Sequence, residues 1–284
     1  MTKYARTFGQ DRMRGEHTVG GGKVVHDTKV RLAPGGGGAW IGGPKTASSD
    51  NFNGSAENQE ASGTSIFDPV LTELCYRWFC PLGGNILDPF AGGSVRGIVA
   101  SYLGRAYHGC ELRAEQVAAN IAQAGIARNP CPVWVCDDSR NIAAHFEPNM
   151  DFVFSCPPYA DLEVYSDDPR DLSAMDYPAF LAAYREIIAA SCGLLRDNRF
   201  ACFVVGDVRD KKGNYRNFVG DTVEAFRAAG LNYYNEAILV TAVGSLPIRV
   251  NKQFMAGRKL GKTHQNILVF VKGDGKKAAV ACAA

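Results

Sequence analysis

The residues Cys156-Pro157-Pro158-Tyr159 place a thiol, a rigid turn and an aromatic ring in a row, directly after an apolar run at residues 152–154. Two consecutive prolines do not continue a central strand, because neither donates a backbone hydrogen bond and both fix φ near about −65°. The pattern predicts a buried strand that stops at a stiff turn. A thiol can act as a nucleophile and a ring can stack on a flat ligand. We therefore take Cys156, Pro157, Pro158 and Tyr159 as candidate catalytic residues.

Three further apolar runs end in acidic residues. The first ends at Asp88 and continues into the turn Pro89-Phe90-Ala91-Gly92-Gly93-Ser94, the second ends at Glu111, and the third ends at Asp137-Asp138. Glycines let a ligand approach the backbone, and a following helix offers free amides. An acid about 20 residues beyond such a turn is the usual partner of ribose hydroxyls. A helix cap or a plain turn explains any one of these features alone, but their recurrence at three strand ends favours a ligand.

The elements that position these residues alternate along the chain. Short apolar runs at residues 85–88, 106–112, 132–136, 151–155 and 200–207 alternate with helical patterns at 94–103, 113–124, 177–195 and 218–229. This alternation predicts a doubly wound, mostly parallel α/β sheet with right-handed crossovers. Two last runs, at 235–241 and 265–272, are joined without a predicted helix and indicate an antiparallel C-terminal hairpin. Ligands of such sheets bind at the carboxyl ends of the strands, where the candidate residues lie.

Composition divides the chain into three parts. Residues 1–63 are rich in Gly, Ser and Asn and show no periodicity, so we expect a flexible arm that limited proteolysis removes. Residues 64–273 hold the alternating pattern and are the predicted folded domain. Residues 274–284 are predicted as a tail.

Charge and cysteine usage exclude several classes of protein. The formal net charge of +2 permits a polyanionic partner without requiring one. The nine cysteines occur singly and only five histidines are present, so we expect no metal site. No charged and apolar leader and no apolar run of about 18 residues is present, so we expect a reduced, cytoplasmic protein without a membrane partner.

Three motifs carry a resemblance to a known family. The stretches ILDPFAGGSVRG, YHGCEL and FSCPPY, in this order, resemble the DNA amino-methyltransferases that use S-adenosylmethionine. The segment GTSIFDPVLTELCYRWFC is similar to the one that precedes the glycine motif in that family. The resemblance covers about residues 64–272. It implies a seven-stranded Rossmann-like methyltransferase sheet and duplex DNA as the partner, with the target base flipped out of the helix.

The resemblance also implies a role for each matching residue. Asp88, Phe90 and Gly92 would hold the methionine part of the cofactor, with Phe67, Asp68 and Pro69 on the same side. Glu111 would bind the ribose, Leu112 would pack against the adenine, and Asp137 would accept a hydrogen bond from the adenine amine. The segment Cys156 to Tyr159 would face the target base, with Tyr159 stacking on it.

Two positions depart from the family pattern. The glycine turn reads Gly92-Gly93-Ser94, where the family has G-x-G, so Ser94 is not expected to contact the cofactor. Cys156 stands where the family has Asp, Asn or Ser, and a thiol is a poor acceptor for an amine. The resemblance to the amino-methyltransferases still leads us to expect methylation of an exocyclic amine, cytosine N4 or adenine N6. The alternative is methylation of cytosine C5, with Cys156 as the nucleophile that adds to C6.

Fewer sequence features support the assignment of the substrate class than support the assignment of the cofactor. Residues 206–217 and 249–264 combine basic residues with Tyr215 and Phe254, which suits phosphate contacts and base stacking. A methyltransferase that acts on RNA or protein also carries a Pro-Pro-Tyr turn. A non-catalytic DNA-binding protein on the same fold remains a further alternative. A dehydrogenase shares the glycine turn and the ribose acid but has no use for Cys-Pro-Pro-Tyr.

Overall fold

A computed structural model describes residues 66–159, 164–241 and 246–283. The predicted N-terminal arm, residues 1–63, lies outside the described residues. Within the described residues, residues 246–261 belong to one compact unit, and all the others belong to a second unit that we call the main domain.

Seven strands of the main domain form one sheet in the order β3-β2-β1-β4-β5-β7-β6. Strands β1 to β5 pair in parallel, and β7 runs antiparallel to both β5 and β6. This order confirms the predicted doubly wound, mostly parallel sheet with an antiparallel C-terminal pair. The strands are β1 Asn85–Asp88, β2 Ala106–Glu111, β3 Val133–Cys136, β4 Met150–Ser155, β5 Leu195–Val205, β6 Asn232–Val240 and β7 His264–Lys272.

Seven α-helices accompany the strands in the described residues. They are α1 Pro69–Phe79, α2 Val95–Tyr102, α3 Ala114–Gln123, α4 Tyr177–Leu194, α5 Phe218–Ala228, α6 Leu246–Gly257 and α7 Gly275–Cys282. Helix α1 begins at Pro69 because Asp68 caps it and proline suits a first turn. None of the described helices combines the length and apolar character that a membrane span requires.

The structure differs from the sequence prediction at two helices. In the sequence, helix α6 comes between β6 and β7, where we predicted a basic loop. Arg, Lys, Gln, Met and Ala are good helix formers, so a basic composition does not exclude a helix. Residues predicted as a tail form helix α7, whose first turn is capped by Asp274 and whose Ala278 is buried. The Ala-rich stretch that follows the N-cap residue Asp274 is a helix signal in the sequence.

Both faces of the sheet are covered, which explains the nearly continuous apolar strands. In β4, Phe152 and Phe154 belong to one buried cluster and Val153 to the other. The same alternation places Ala201 and Cys202 of β5 on opposite faces. Because successive side chains of a strand point to opposite faces, Ser155 and Cys156 at the end of β4 also point in opposite directions.

A glycine permits the close approach of α2 to the sheet. A Cβ atom at Gly97 would lie 2.6 Å from Trp134 Cζ2 and 2.9 Å from Pro132 Cβ. Helix α2 carries the glycine turn of the candidate site at its start, so this contact also fixes the position of that turn.

We expect Gly97→Ala to lower the free energy of unfolding by about 1–3 kcal/mol, because the added methyl group overpacks the contact with Trp134. Urea unfolding followed by circular dichroism measures the change. Gly193→Ala in α4 is the matched control, since a Cβ there meets no atom within 4 Å. An equal effect of the two substitutions would contradict the role of Gly97.

Candidate active site

A cavity of about 490 Å³ opens at the carboxyl ends of the parallel strands. Its size is that of a typical small-molecule site. The lining comes from the turns after four strands and from a segment before α4. These groups include Phe90, Gly92, Gly93, Ser94 and Arg96 after β1, Glu111, Leu112 and Arg113 after β2, Asp138 and Ser139 after β3, Cys156, Pro157, Pro158 and Tyr159 after β4, and Tyr165, Arg170, Asp171 and Leu172.

Asp88 is fully buried at the end of β1 and does not line the cavity. Its carboxylate accepts hydrogen bonds from Arg96 Nε at 2.5 Å, Ser155 Oγ at 2.6 Å and Tyr107 hydroxyl at 2.7 Å. These donors come from α2, β4 and β2. The structure thus gives Asp88 a place behind the glycine turn, whereas the sequence analysis expected it in contact with the cofactor.

Arg96 extends this network from the buried carboxylate to the cavity wall. One of its terminal nitrogens donates to the carbonyls of Phe90 and Ala91 at 2.5 and 3.0 Å, and its guanidinium lies 4.7 Å from the centroid of the Phe67 ring. Burial tends to lower the pKa of Arg96, but the charge of Asp88 more than offsets this and holds the pKa above its usual value. The guanidinium therefore stays charged and fixes two carbonyl groups of the turn by hydrogen bonds.

Gly92 occupies the left-handed region, with φ of +51°, which explains why glycine stands there. Its N–H donates to Glu111 Oε2 at 2.9 Å, and its carbonyl accepts from Asn120 Nδ2 at 2.7 Å. Glu111 Oε1 also accepts from the N–H of Arg113 at 3.0 Å. A carboxylate has about four acceptor positions, so Glu111 keeps capacity for a ligand at the cavity wall.

The acid that faces the cavity after β3 is Asp138. Asp138 is buried and lines the cavity, and it accepts from Arg140 N and Nε, both at 2.9 Å. Asp137, the residue expected from the sequence, does not line the cavity; its carboxylate accepts from His145 Nε2 at 2.7 Å, and this contact lowers the pKa of Asp137. The two acids follow the last strand residue, so strand alternation does not decide between them, and only the structure separates their roles.

The remaining residues predicted for the cofactor fall into two groups. Phe67, Phe90 and Leu112 line the cavity. Asp68 does not, because its carboxylate caps α1 and accepts from the N–H groups of Val70 and Leu71 at 2.8 and 3.2 Å.

The Cys-Pro-Pro-Tyr segment forms one wall of the cavity. Ser155, just before it, is turned away into the Asp88 network, as strand alternation predicts. Burial, followed by the adjacent Cys156 thiol, raises the pKa of Tyr159 well above its usual value, so its phenol is neutral. The hydroxyl of Tyr159 accepts from Gln265 Nε2 at 2.6 Å, and its ring packs edge-on against Phe218.

The backbone of this wall offers acceptors. Within the described residues, no hydrogen bond reaches the carbonyl oxygens of Pro157 and Pro158. Proline also supplies no donor, so this part of the wall is an acceptor surface.

Three contributors to the site were not found from the sequence. Arg96 lies in the first turn of a predicted helix, where a buried arginine has no special signature. Gln265 lies more than 100 residues from Tyr159, and Asp138 was passed over in favour of its neighbour. The only available signal for Arg96 was a charged residue on an otherwise apolar helix, shortly after the glycine motif.

A basic and aromatic surface loop follows β5. Arg209 and Tyr215 pair as an isolated antiparallel bridge, and the Arg209 guanidinium lies 3.9 Å from the centroid of the Tyr215 ring. Asp210 closes the turn by accepting from the N–H of Asn214 at 2.8 Å. This loop, residues 209–216, is therefore preformed. In the separate unit of residues 246–261, Arg258 lies over the ring of Phe254 at 5.0 Å.

Comparisons with known proteins agree with this fold. No family model and no curated protein matches the sequence. TrmN from Thermus thermophilus aligns with 72% of this chain at 13% identity and a TM-score of 0.47. Another Thermus thermophilus protein, provisionally named a DNA modification methylase, aligns with 48% at 22% identity and a TM-score of 0.36. The alignments cover 48% and 51% of those two proteins, about half of each.

A third matched structure aligns over most of this chain and most of its own. The [4+2]-cyclase SpnF aligns with 73% of this chain and 81% of its own, at 14% identity and a TM-score of 0.50. Other matched structures, from Corynebacterium glutamicum and Methanosarcina mazei, are named S-adenosylmethionine-dependent methyltransferases.

We expect Asp88→Asn to lower the free energy of unfolding by about 3–5 kcal/mol, because the amide keeps the volume but leaves the buried charge of Arg96 without its counter-ion. Urea unfolding measures the loss. Tyr107→Phe removes one donor to the same carboxylate and keeps the ion pair, so about 1 kcal/mol is expected there. A loss below about 1 kcal/mol for Asp88→Asn would contradict the central place of this ion pair.

Proposed function

We propose that this protein is an S-adenosylmethionine-dependent methyltransferase that acts on an exocyclic amine of a base in duplex DNA. One observation carries the proposal. A single cavity joins the glycine turn, Glu111 and Asp138 on one side to the Cys-Pro-Pro-Tyr wall on the other. Such a cavity can hold a nucleoside-type cofactor next to a flat substrate.

The cofactor side has the donors and acceptors that S-adenosylmethionine requires. Glu111 would accept hydrogen bonds from the ribose hydroxyls, and Leu112 would pack against the adenine. Asp138, rather than Asp137, would lie at the adenine side, and the turn at Gly92, with Phe67 and Phe90, would take the methionine side. Bound S-adenosylmethionine supplies an electrophilic methyl group.

The wall opposite would orient and activate the amine. The carbonyl oxygens of Pro157 and Pro158 accept no hydrogen bond within the described residues, so they can accept from an amine N–H. Hydrogen bonds from the amine N–H groups to these carbonyl oxygens would orient the nitrogen so that its lone pair faces the cofactor. This backbone route supports amine methylation even though Cys156 itself is a weak acceptor.

A second candidate reaction is methylation of cytosine C5, and the cavity position of Cys156 supports it. The thiolate would add to C6 and make C5 nucleophilic. Arg96 and Cys156 both line the cavity, so the two side chains belong to the same site.

The support for DNA is the preformed loop of residues 209–216. Arg209, Lys211 and Lys212 provide positive charge, and the ring of Tyr215 is 46% exposed. Basic side chains around an exposed ring suit a nucleic-acid backbone with its bases. The loop follows β5, whose neighbour β4 ends in the Cys-Pro-Pro-Tyr wall, so a bound duplex would lie near the cavity.

Transfer of tritiated methyl from S-adenosylmethionine tests the proposal as a whole. We expect incorporation into duplex DNA, and nucleoside mass spectrometry should identify an N-methylated base. Incorporation confined to RNA or protein would overturn the substrate class, and binding of DNA without any transfer would indicate a non-catalytic protein.

We expect Glu111→Ala to weaken S-adenosylmethionine binding by about 1.5–3 kcal/mol, the worth of charge-assisted hydrogen bonds to the ribose. Isothermal titration calorimetry measures the affinity. Glu115→Ala serves as the matched control, because that carboxylate is 72% exposed and lies outside the cavity lining. Equal affinities of the two variants would remove Glu111 from the ribose site.

Cys156→Ser distinguishes the two reactions. If the methyl group goes to an amine, we expect activity to be kept or raised, because a hydroxyl accepts a hydrogen bond better than a thiol. If it goes to C5, activity falls by several orders of magnitude, since a serine hydroxyl without a base is a far weaker nucleophile. A fluorinated cytosine in the substrate DNA traps a covalent complex only in the second case.

A further inference from the structure

The segment of residues 164–173, which precedes α4, forms part of the cavity wall. Four of its residues, Tyr165, Arg170, Asp171 and Leu172, line the cavity. Tyr165 is the only aromatic residue in this segment. An aromatic ring in a cavity wall provides a large flat surface for a ligand at a small entropic cost. The position of this ring therefore bears on what the cavity binds.

A buried carboxylate holds the 164–173 segment in place. Asp171 is only 6% exposed, and its two oxygens accept from Ser166 Oγ at 2.8 Å and from Ser173 N and Oγ at 2.9 and 2.7 Å. Ser173 Oγ in turn accepts from the N–H of Tyr165 at 3.0 Å. These hydrogen bonds tie the two ends of the segment together. The backbone that carries the Tyr165 ring is therefore fixed at the edge of the cavity.

The Tyr165 ring lies on the side of the cavity that contains Glu111. The guanidinium carbon of Arg113 is 5.9 Å from the centroid of the Tyr165 ring, which is within the reach of a cation–π contact. Arg113 Nε lies 3.5 Å from Glu111 Oε1, and the N–H of Arg113 donates to the same oxygen at 3.0 Å. All three residues line the cavity. Arg113 thus connects the Tyr165 ring to the carboxylate proposed for the ribose.

We propose that Tyr165 is a cofactor-binding residue whose ring packs against the nucleoside part of S-adenosylmethionine. The inference rests on the cofactor side of the proposed function and does not depend on DNA or on the methylated atom. Leu112 would contact the adenine from the end of β2, whereas Tyr165 would contact the nucleoside from the 164–173 segment. Because the segment is already held by hydrogen bonds, little ordering of its backbone is required on binding.

Isothermal titration calorimetry of the full chain with S-adenosylmethionine tests this role without any methyl transfer. We expect Tyr165→Ala to weaken binding by about fivefold or more, which corresponds to the lower end of what stacking on an aromatic ring contributes. Tyr165→Phe keeps the ring and should stay within about twofold of the wild type. A loss in Tyr165→Phe as large as that in Tyr165→Ala would assign the effect to the hydroxyl and overturn the proposed packing of the ring.

Tyr102→Ala is the matched control. Tyr102 also has an arginine over its ring, with the guanidinium carbon of Arg128 at 4.4 Å from the centroid, but it lies outside the cavity lining. Its removal should leave the affinity for S-adenosylmethionine unchanged. Equal losses in Tyr165→Ala and Tyr102→Ala would contradict a specific role of Tyr165.

Adenosine identifies the part of the cofactor that the ring contacts. Because adenosine lacks the methionine part, we expect Tyr165→Ala to weaken the binding of adenosine by the same factor as that of S-adenosylmethionine. Saturation-transfer NMR titrations give the affinities for adenosine. A loss with S-adenosylmethionine and none with adenosine would place the ring at the methionine part and overturn the assignment to the nucleoside.

Hydrogen exchange distinguishes contact with the cofactor from a purely structural role. Saturating S-adenosylmethionine should slow the exchange of backbone amides in residues 164–173 of the wild-type protein, as measured by mass spectrometry. Unchanged exchange in this segment, with the cofactor bound, would overturn the contact. Melting temperatures of all variants, followed by circular dichroism, identify any loss of affinity that comes from unfolding.

The same measurements separate this inference from the proposed function. If Tyr165→Ala weakens the binding of S-adenosylmethionine as expected but the wild-type protein transfers no methyl group to DNA, the contact stands and the proposed function fails. If DNA is methylated while Tyr165→Ala keeps the full affinity for S-adenosylmethionine, the function stands and the contact is wrong.

Discussion

The ion pair between Asp88 and Arg96 is the interaction on which the rest of the site depends. A carboxylate with no solvent contact is stable in its charged form only when donors surround it. Arg96, Tyr107 and Ser155 meet this need, and they come from three different elements. The burial of one charge thereby fixes the relative positions of β1, β2, β4 and α2, and with them the turn that borders the cavity.

This arrangement also decides which side chains remain for a ligand. Because Ser155 is committed to Asp88, the first side chain at the end of β4 that reaches the cavity is Cys156. Because Arg96 donates to the carbonyls of Phe90 and Ala91, these two acceptors are already used within the protein. Glu111 then orients the N–H of Gly92 and still keeps acceptor capacity. Stability and ligand binding use the same short turn, so the two functions are difficult to separate by substitution.

The sequence was sufficient to predict the features that depend on hydrophobic periodicity and on the residues at strand ends. Alternation of apolar runs and helical stripes predicted the sheet, its parallel part and its antiparallel pair. The sequence did not predict the roles of residues whose positions depend on contacts between distant parts of the chain. Asp137 and Asp138 are chemically identical and adjacent, and only the position of the turn directs Asp138 to the cavity. Gln265 reaches Tyr159 because β7 inserts between β5 and β6, an order that no local pattern encodes. Helix α6 was missed because its basic composition indicated contact with phosphate rather than backbone conformation.

The fold by itself leaves the chemistry open. SpnF, named a cyclase, aligns with this chain at 14% identity and a TM-score of 0.50, and a likeness of that degree shows the fold without selecting a reaction. The selective features lie at the ends of β4 and β7, where this chain combines a thiol, a proline turn and a buried phenol–amide hydrogen bond. Tyr159 connects these features, since it lines the cavity and its hydroxyl accepts from Gln265. The hydrogen bond from Gln265 therefore helps to fix the position of a residue in the cavity wall, although Gln265 itself does not line the cavity.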